Sequence, residues 1–286
     1  MKCLLCSAEV ESLKKNTHYI SSFLIQRCFD QAGANKRGRG SYYDIHPSFV
    51  EYRFERDTSP DSIEKNLKRP ATDVEIEREF NNHPCSVDDC FCSECERRFC
   101  AIEVDYCTSI HNKVVQQNVY SFEKQFNGIF RAFYYMQICR TLLVRGESQS
   151  IDPNTFFILK SAVLSYPNVN VIKGFYDLPI TVSHLITKGD AKEYTNNNVI
   201  DFMAVFCPHV IFMNDFVVQL YDNINHLPFD TLFGVNCMER YKSYLMIGNS
   251  DFKFQVISDS KRRSINNKVR NFWAKLYIKS IRKQSL

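Results

Sequence analysis

Cys92-Ser93-Glu94-Cys95-Glu96-Arg97-Arg98-Phe99 is a C-x2-C knuckle that runs directly into a helical pattern, with Phe99, Ile102, Tyr106 and Ile110 recurring on one face. A second knuckle, Cys3-Leu4-Leu5-Cys6, stands at the start of the chain. Each can place two thiolates on one tetrahedral ion, with about 2.3 Å from metal to sulfur. Closing the long loop between the knuckles costs about 4 kcal/mol. Structural zinc contributes about 10 to 16 kcal/mol in small modules, so one Zn²⁺ held by Cys3, Cys6, Cys92 and Cys95 is expected to tie the two together. Cys85 and Cys90 are substitutes to weigh in the second pair, although Cys90 and Cys92, one residue apart, grip a metal less well.

The rest of the composition agrees with a folded, reduced protein. The chain has 286 residues, 44% apolar and 24% charged, with only 9 Gly and 9 Pro, which excludes the disordered, collagenous and low-complexity classes. Nine of its 12 cysteines fall by position 107, a clustering that suits metal binding better than disulfides in a reducing compartment. Cys139, Cys207 and Cys237 read as small buried hydrophobes. The longest apolar stretch, 199–218, is interrupted by Asp201, Pro208, His209, Asn214 and Asp215, which a bilayer does not tolerate unpaired. Glu9 and Glu11 come too early for the apolar run of a secretion signal, so a cytoplasmic protein with no membrane role is expected.

Periodicity divides the chain in two. Residues 1–118 form a metal-bound module with a loop-rich insert at about 33–90, in which Phe49 to Phe54 is a short strand candidate. Residues 119–286 hold helices over Ser121 to Val144 and Pro153 to Ser165, then strands near 169–172, 205–213, 244–247 and 252–257. From 260 to 286 there are nine bases and no acid, leaving 27 bases against 32 acids elsewhere. Ile265, Val269, Phe272, Trp273, Leu276 and Ile281 give this tail a helical apolar stripe. Its basic face, with Lys261, Arg262, Arg263, Lys268 and Arg270, is either a solvated surface, a contact for nucleic-acid phosphates or a membrane-surface element. Lys36, Arg37 and Arg39 lie in a Gly-rich loop that can approach a phosphate or stay free of ligand.

Between the knuckles runs Thr17-His18-Tyr19-Ile20-Ser21-Ser22-Phe23-Leu24. With Cys3-x2-Cys6 before it and Cys92-x2-Cys95-Glu96-x2-Phe99 after it, this order resembles the divergent bacterial HNH-type nucleases, whose motif runs C-x2-C, S-H-I-I-P-x-F-L, C-x2-C-E-x2-F. The resemblance implies an α+β fold: a zinc-stabilised HNH-like ββα module followed by a mixed helical and β domain. It also implies a metal-dependent endonuclease acting on DNA in an anti-phage or mobile-element setting, with a protein partner for recognition or activation. His18 then matches the general base that activates water while a divalent ion stabilises the phosphorane. Thr17 stands where the family often has an acidic ligand, and Ser21 replaces the proline. Glu96, and Glu103 two helical turns on, are hard oxygen donors suited to Mg²⁺ or Mn²⁺.

Each of these residues also has a plainer account: His18 as a structural histidine, Glu96 and Glu103 as solvated helix charges, and the chain as a catalytically degenerate adaptor subunit. His83 and His111 flank the second knuckle without ligand spacing, and His46, His184, His209 and His226 show no partner in the sequence. No phosphate loop, nucleophile elbow or dinucleotide fingerprint occurs, so no nucleotide cofactor is expected.

Overall fold

A computed structural model describes residues 1–25, 42–46, 49–53, 60–76, 85–187, 199–203, 207–223, 225, 232–236 and 243–284. The elements begin with β1 (Thr17–His18), the single turn α1 (Ser22–Ile25), β2 (Tyr42–His46), β3 (Phe49–Arg53), α2 (Pro60–Leu67) and β4 (Ser86–Val87). Then come α3 (Ser93–Tyr106), a π-helical turn at Cys107–His111, α4 (Asn112–Gln117), β5 (Ser121–Phe122), α5 (Asn127–Arg145) and α6 (Pro153–Leu164). Strands β6 (Ile180–Leu185), β7 (Val199–Met203), β8 (His209–Met213), β9 (Phe216–Leu220), β10 (Phe252–Lys253) and β11 (Gln255–Ile257) precede the terminal helix α7 (Asp259–Gln284). The fold is mixed α+β.

A seven-stranded sheet, in the order β11-β6-β9-β8-β7-β2-β3, divides the apolar interior. Strand alternation sends Ile200, Phe202, Ile211, Met213 and Val218 to the larger core with the helices. Their neighbours Val199, Met203, Val210, Phe212 and Val217 face a smaller core with α7. Burial on both faces explains why 199–218 reads as one apolar run. Asn214, at φ 57°, and Asp215 make the two-residue turn between β8 and β9, and Asn is among the residues that tolerate this left-handed backbone.

Helix α5 is the axis of the larger core. Every residue from Phe130 to Leu142 is buried, and Gly146, at φ 68°, ends the helix in the left-handed cap that glycine adopts without a Cβ clash. Pro153 opens α6, whose N-cap Asp152 accepts from the Thr155 N–H at 2.9 Å. On α7, Ile265, Val269 and Trp273 form the buried stripe, and the Trp273 indole N–H donates to Asp201 at 2.7 Å.

Several expectations are corrected. The helix expected from Ser121 starts at Asn127, because Ser121 and Phe122 pair with Lys253 and Phe252. Residues 169–171 are a 3-10 turn, and of 244–247 only Met246 bridges to Ile180. The insert contributes two strands to the large sheet, β2 lying parallel to β7. Asn118 ends α4 in a left-handed cap, yet one core runs from Cys3 to Phe254 across that point. Cys139 is fully buried as expected, Cys207 is exposed, and Cys237 lies outside the described residues. No helix among the described residues is long and apolar enough to cross a membrane.

Candidate metal centre and adjoining cleft

The first knuckle is a tight turn. The Ser7 N–H donates to the Cys3 carbonyl and the Cys3 N–H to the Ala8 carbonyl, both at 3.0 Å. Backbone bonds then fasten this strap to the segment before α3, from the Leu4 N–H to the Cys90 carbonyl and from the Lys14 N–H to the Phe91 carbonyl. Antiparallel pairing of Thr17 with Val87 and His18 with Ser86 continues the attachment. Leu5 and Phe91 are completely buried beneath it, Phe91 meeting the edge of Phe99 at 5.1 Å.

This packing brings the four knuckle sulfurs within 4.8 Å of one another. Cys3 Sγ is 3.7 Å from Cys95 Sγ, and Cys6 Sγ is 3.8 Å from Cys92 Sγ. Sulfurs at the corners of a tetrahedron about 2.3 Å from its centre are about 3.8 Å apart, so the set fits a structural metal such as zinc. Burial pushes the Cys95 and Cys6 thiols up. Burial also acts on Cys3, but the backbone N–H groups of Cys6, Cys92 and Leu5 outweigh it and bring that thiol down to about 7. Donors aimed at a sulfur favour its thiolate, the form that binds metal. Cys85 and Cys90 lie outside the set.

Beside the cysteines is an open cleft of about 480 Å³. Lys14, Lys15, Asn16 and Thr17 form the wall from the strap, and Ser93, Glu96, Arg97 and Cys100 form the wall from α3. Burial raises the Glu96 carboxyl above its ordinary range, while Arg140, Thr17 and Lys14 oppose that shift. Thr17 is 3% exposed. Arg97 reaches back one turn to Glu94.

The other expected site residues are dispersed. Successive strand residues face opposite ways, and Thr17 lines the cleft whereas His18 does not. Glu103 accepts from Ser21 Oγ at 2.6 Å and from Arg140 Nη1 at 3.0 Å. Ser21 is held in turn by Gln137, and the Arg140 guanidinium covers the Phe99 ring at 4.8 Å. Glu103 thus belongs to a buried polar network joining α3 to α5. His111 packs edge-on against Phe23, His184 stacks on Phe216, and His209 pairs with Asp222 at 3.1 Å. His83 and His226, and the side chain of His46, lie outside the described residues.

Of the expected cationic groups, Lys36, Arg37 and Arg39 also lie outside the described residues. Arg262 is corrected: its guanidinium is completely buried, donating to Asp215, Asn214 and the Leu185 carbonyl, so it cannot face a polyanion. Arg263 pairs with Asp259 at 3.0 Å and Arg270 meets Asn267. Lys261 and Lys268 are exposed, as are Lys275 and Lys279.

No family model, curated protein or solved structure matches the chain. Lys14, Lys15, Asn16 and Arg97 were not singled out by sequence. The first three stand in a polar stretch whose only signal was its place directly before Thr17-His18.

Proposed function

We propose that the chain is a zinc-locked, divalent-metal-dependent endonuclease of the HNH type, hydrolysing phosphodiester bonds in DNA. The observation that carries this is Glu96, a half-buried carboxylate inside a cleft rimmed by Lys14, Lys15 and Arg97, on the helix that the second knuckle opens. The reading is supported by the antiparallel pairing of the two-residue strands β1 and β4 beside α3, although α1, β2, β3 and α2 lie between β1 and β4 in the chain.

Zn²⁺ on Cys3, Cys6, Cys92 and Cys95 holds the strap against α3. A divalent ion such as Mg²⁺ or Mn²⁺, when bound, neutralises charge developing on the phosphoryl oxygens and the leaving group. The chain supplies the hard Glu96 oxygen for that ion, and Lys14, Lys15 and Arg97 for the entering backbone phosphates. His18, next to Thr17 on β1, is given the role of proton acceptor for water by its place in the motif alone, since its side chain does not line the cleft.

A zinc-bound adaptor for nucleic acid or another protein is the alternative, and the structure offers one observation in its favour. Glu103 is engaged by Arg140 and Ser21, which leaves Glu96 as the carboxylate lining the cleft. Incubation of the purified chain with plasmid and Mg²⁺ or Mn²⁺, beside Glu96→Gln and His18→Ala, separates the two. The nuclease cuts, and both variants lose cutting by at least about 100-fold. Cutting that survives Glu96→Gln rules the nuclease site out, and salt-sensitive DNA binding without cutting by any form identifies the adaptor.

A further inference from the structure

Helix α7 runs for 26 residues, and after Asp259 at its first position the sequence carries no acid to residue 286. Its apolar stripe is used up on the sheet, since Ile265, Val269 and Trp273 are buried in the smaller core. The opposite face is open. Lys261, Lys268 and Lys275 recur every seven residues, close to two helical turns, and Lys279 follows one turn later. These four exposed lysines make one row about 27 Å long. Arg263 and Arg270 bound the other edge of the face, held by Asp259 and Asn267. Between the two cationic edges the surface is small and neutral, with Ser264, Asn267, Asn271 and Ala274 all exposed.

We propose that this face of α7 lies in the major groove of duplex DNA, with the lysine row and the two arginines on the flanking phosphates and Asn267 and Asn271 on base edges. A major groove about 12 Å wide admits an α-helix. Phosphates line both sides of the groove, which matches cations along both edges of the helix. A carboxamide donates and accepts at once, and so pairs with N7 and N6 of adenine. Two other anionic surfaces fit less well. A membrane takes an amphipathic helix by its apolar face, and here that face is covered by the sheet, the exposed Leu276 and Ile278 coming only after Trp273. A single strand is held by stacking on aromatic rings. The open face from Lys261 to Lys275 presents none, because Phe272 packs on Phe233 and Trp273.

The sheet separates α7 from the strap and α3, which pack on the larger core at its other face. The groove-binding face is therefore a DNA contact apart from the cleft of Lys14, Lys15 and Arg97. Its lysines supply affinity that every sequence shares and that salt weakens. Its asparagines add a preference for one sequence, so part of the choice of site resides in this chain and not in a partner. The inference takes from the reading above only that the ligand is DNA, and its test scores binding with no Mg²⁺ or Mn²⁺ added.

Zinc-loaded full-length protein is used to select from a pool of duplexes with a randomised core. The enriched duplex is then followed by fluorescence anisotropy, beside its single strand and vesicles of phosphatidylcholine and phosphatidylserine. The expected result is an enriched sequence containing adenine, bound at least about tenfold more tightly as duplex than the single strand or the vesicles. Asn267→Ala with Asn271→Ala should weaken the enriched duplex by about 5- to 100-fold, and leave a scrambled duplex and the salt dependence unaltered. Both residues are exposed, so Tm should barely move. 7-Deazaadenine, which removes the N7 acceptor from the major groove alone, should weaken wild-type binding and add little to the loss in the double variant. No enriched sequence, enrichment that the double variant leaves unaltered, or tighter binding to the single strand or the vesicles overturns the proposal. Duplex selection as described, with no cleavage once Mg²⁺ is added, leaves the α7 surface standing and removes the nuclease. Cleavage by a chain that selects no sequence does the reverse.

Discussion

Cys3 and Cys95 are 92 positions apart in the chain and hold their sulfur atoms 3.7 Å from one another. That contact makes the N-terminal strap and α3 one unit, and the cleft lies along their junction. Loss of the metal should therefore loosen the wall carrying Lys14 to Thr17 before it affects the large sheet.

Cys95→Ser is expected to abolish metal binding by the four-cysteine site and to destabilise the chain by about 3 kcal/mol or more, a fall in Tm of about 6 to 12 °C. Thermal unfolding before and after chelation checks this. The wild type should lose a similar amount with chelator, and the variant should not respond to it.

Metal binding should release protons. Burial raises the Cys6 and Cys95 thiols, so both are protonated near neutral pH in the metal-free chain and must give up their protons to bind. Affinity therefore rises with pH, by about tenfold per unit for each proton displaced, or about 100-fold per unit for two. Calorimetry in buffers of different ionisation enthalpy counts the protons, and a count below one contradicts thiolate ligation.

The Arg140 to Glu103 pair should behave as an internal strut. Arg140 is 2% exposed and Glu103 27%, so Arg140→Met is expected to cost about 2 to 4 kcal/mol and Glu103→Gln less. The double variant should be less unstable than the sum by about 1 kcal/mol or more, because its two costs share one contact. Denaturant titration of the three proteins gives the comparison.

Much of this arrangement was legible in the sequence where spacing is local. The knuckles, the buried face from Phe99 to Ile110, and the stripe of Ile265, Val269 and Trp273 all follow from short-range periodicity. Arg262 belongs to that stripe too, three residues before Ile265, but a count of charge placed it with the surface bases. Ser121 and Phe122 continue the aromatic spacing of α5, and only a partner strand at Phe252 draws them out of the helix. Glu103 shares a helix face with Glu96, and nothing local reveals that Arg140, on another helix, occupies it. The wall of Lys14 to Thr17 arises when the strap docks on residues 85–91, a contact no motif encodes.

The bases of α7 should divide into two classes. Arg262→Met leaves Asp215 buried without its partner and is expected to cost about 3 to 5 kcal/mol. Replacing Lys261, Lys268 and Lys275 together by Gln should change stability by only about 1 kcal/mol. If α7 contacts nucleic acid, the triple variant also lowers the salt dependence of DNA binding by about 2 to 3 in slope. An unchanged slope removes α7 from the interface.

X-ray absorption at the zinc edge, on protein purified without chelator, measures the coordination directly. Four sulfur neighbours at about 2.3 Å, with one zinc per chain, are the expected result. A first shell dominated by nitrogen or oxygen, or less than about half a zinc per chain, would show that Cys3, Cys6, Cys92 and Cys95 do not share an ion, and the joint on which the cleft depends would have no metal lock.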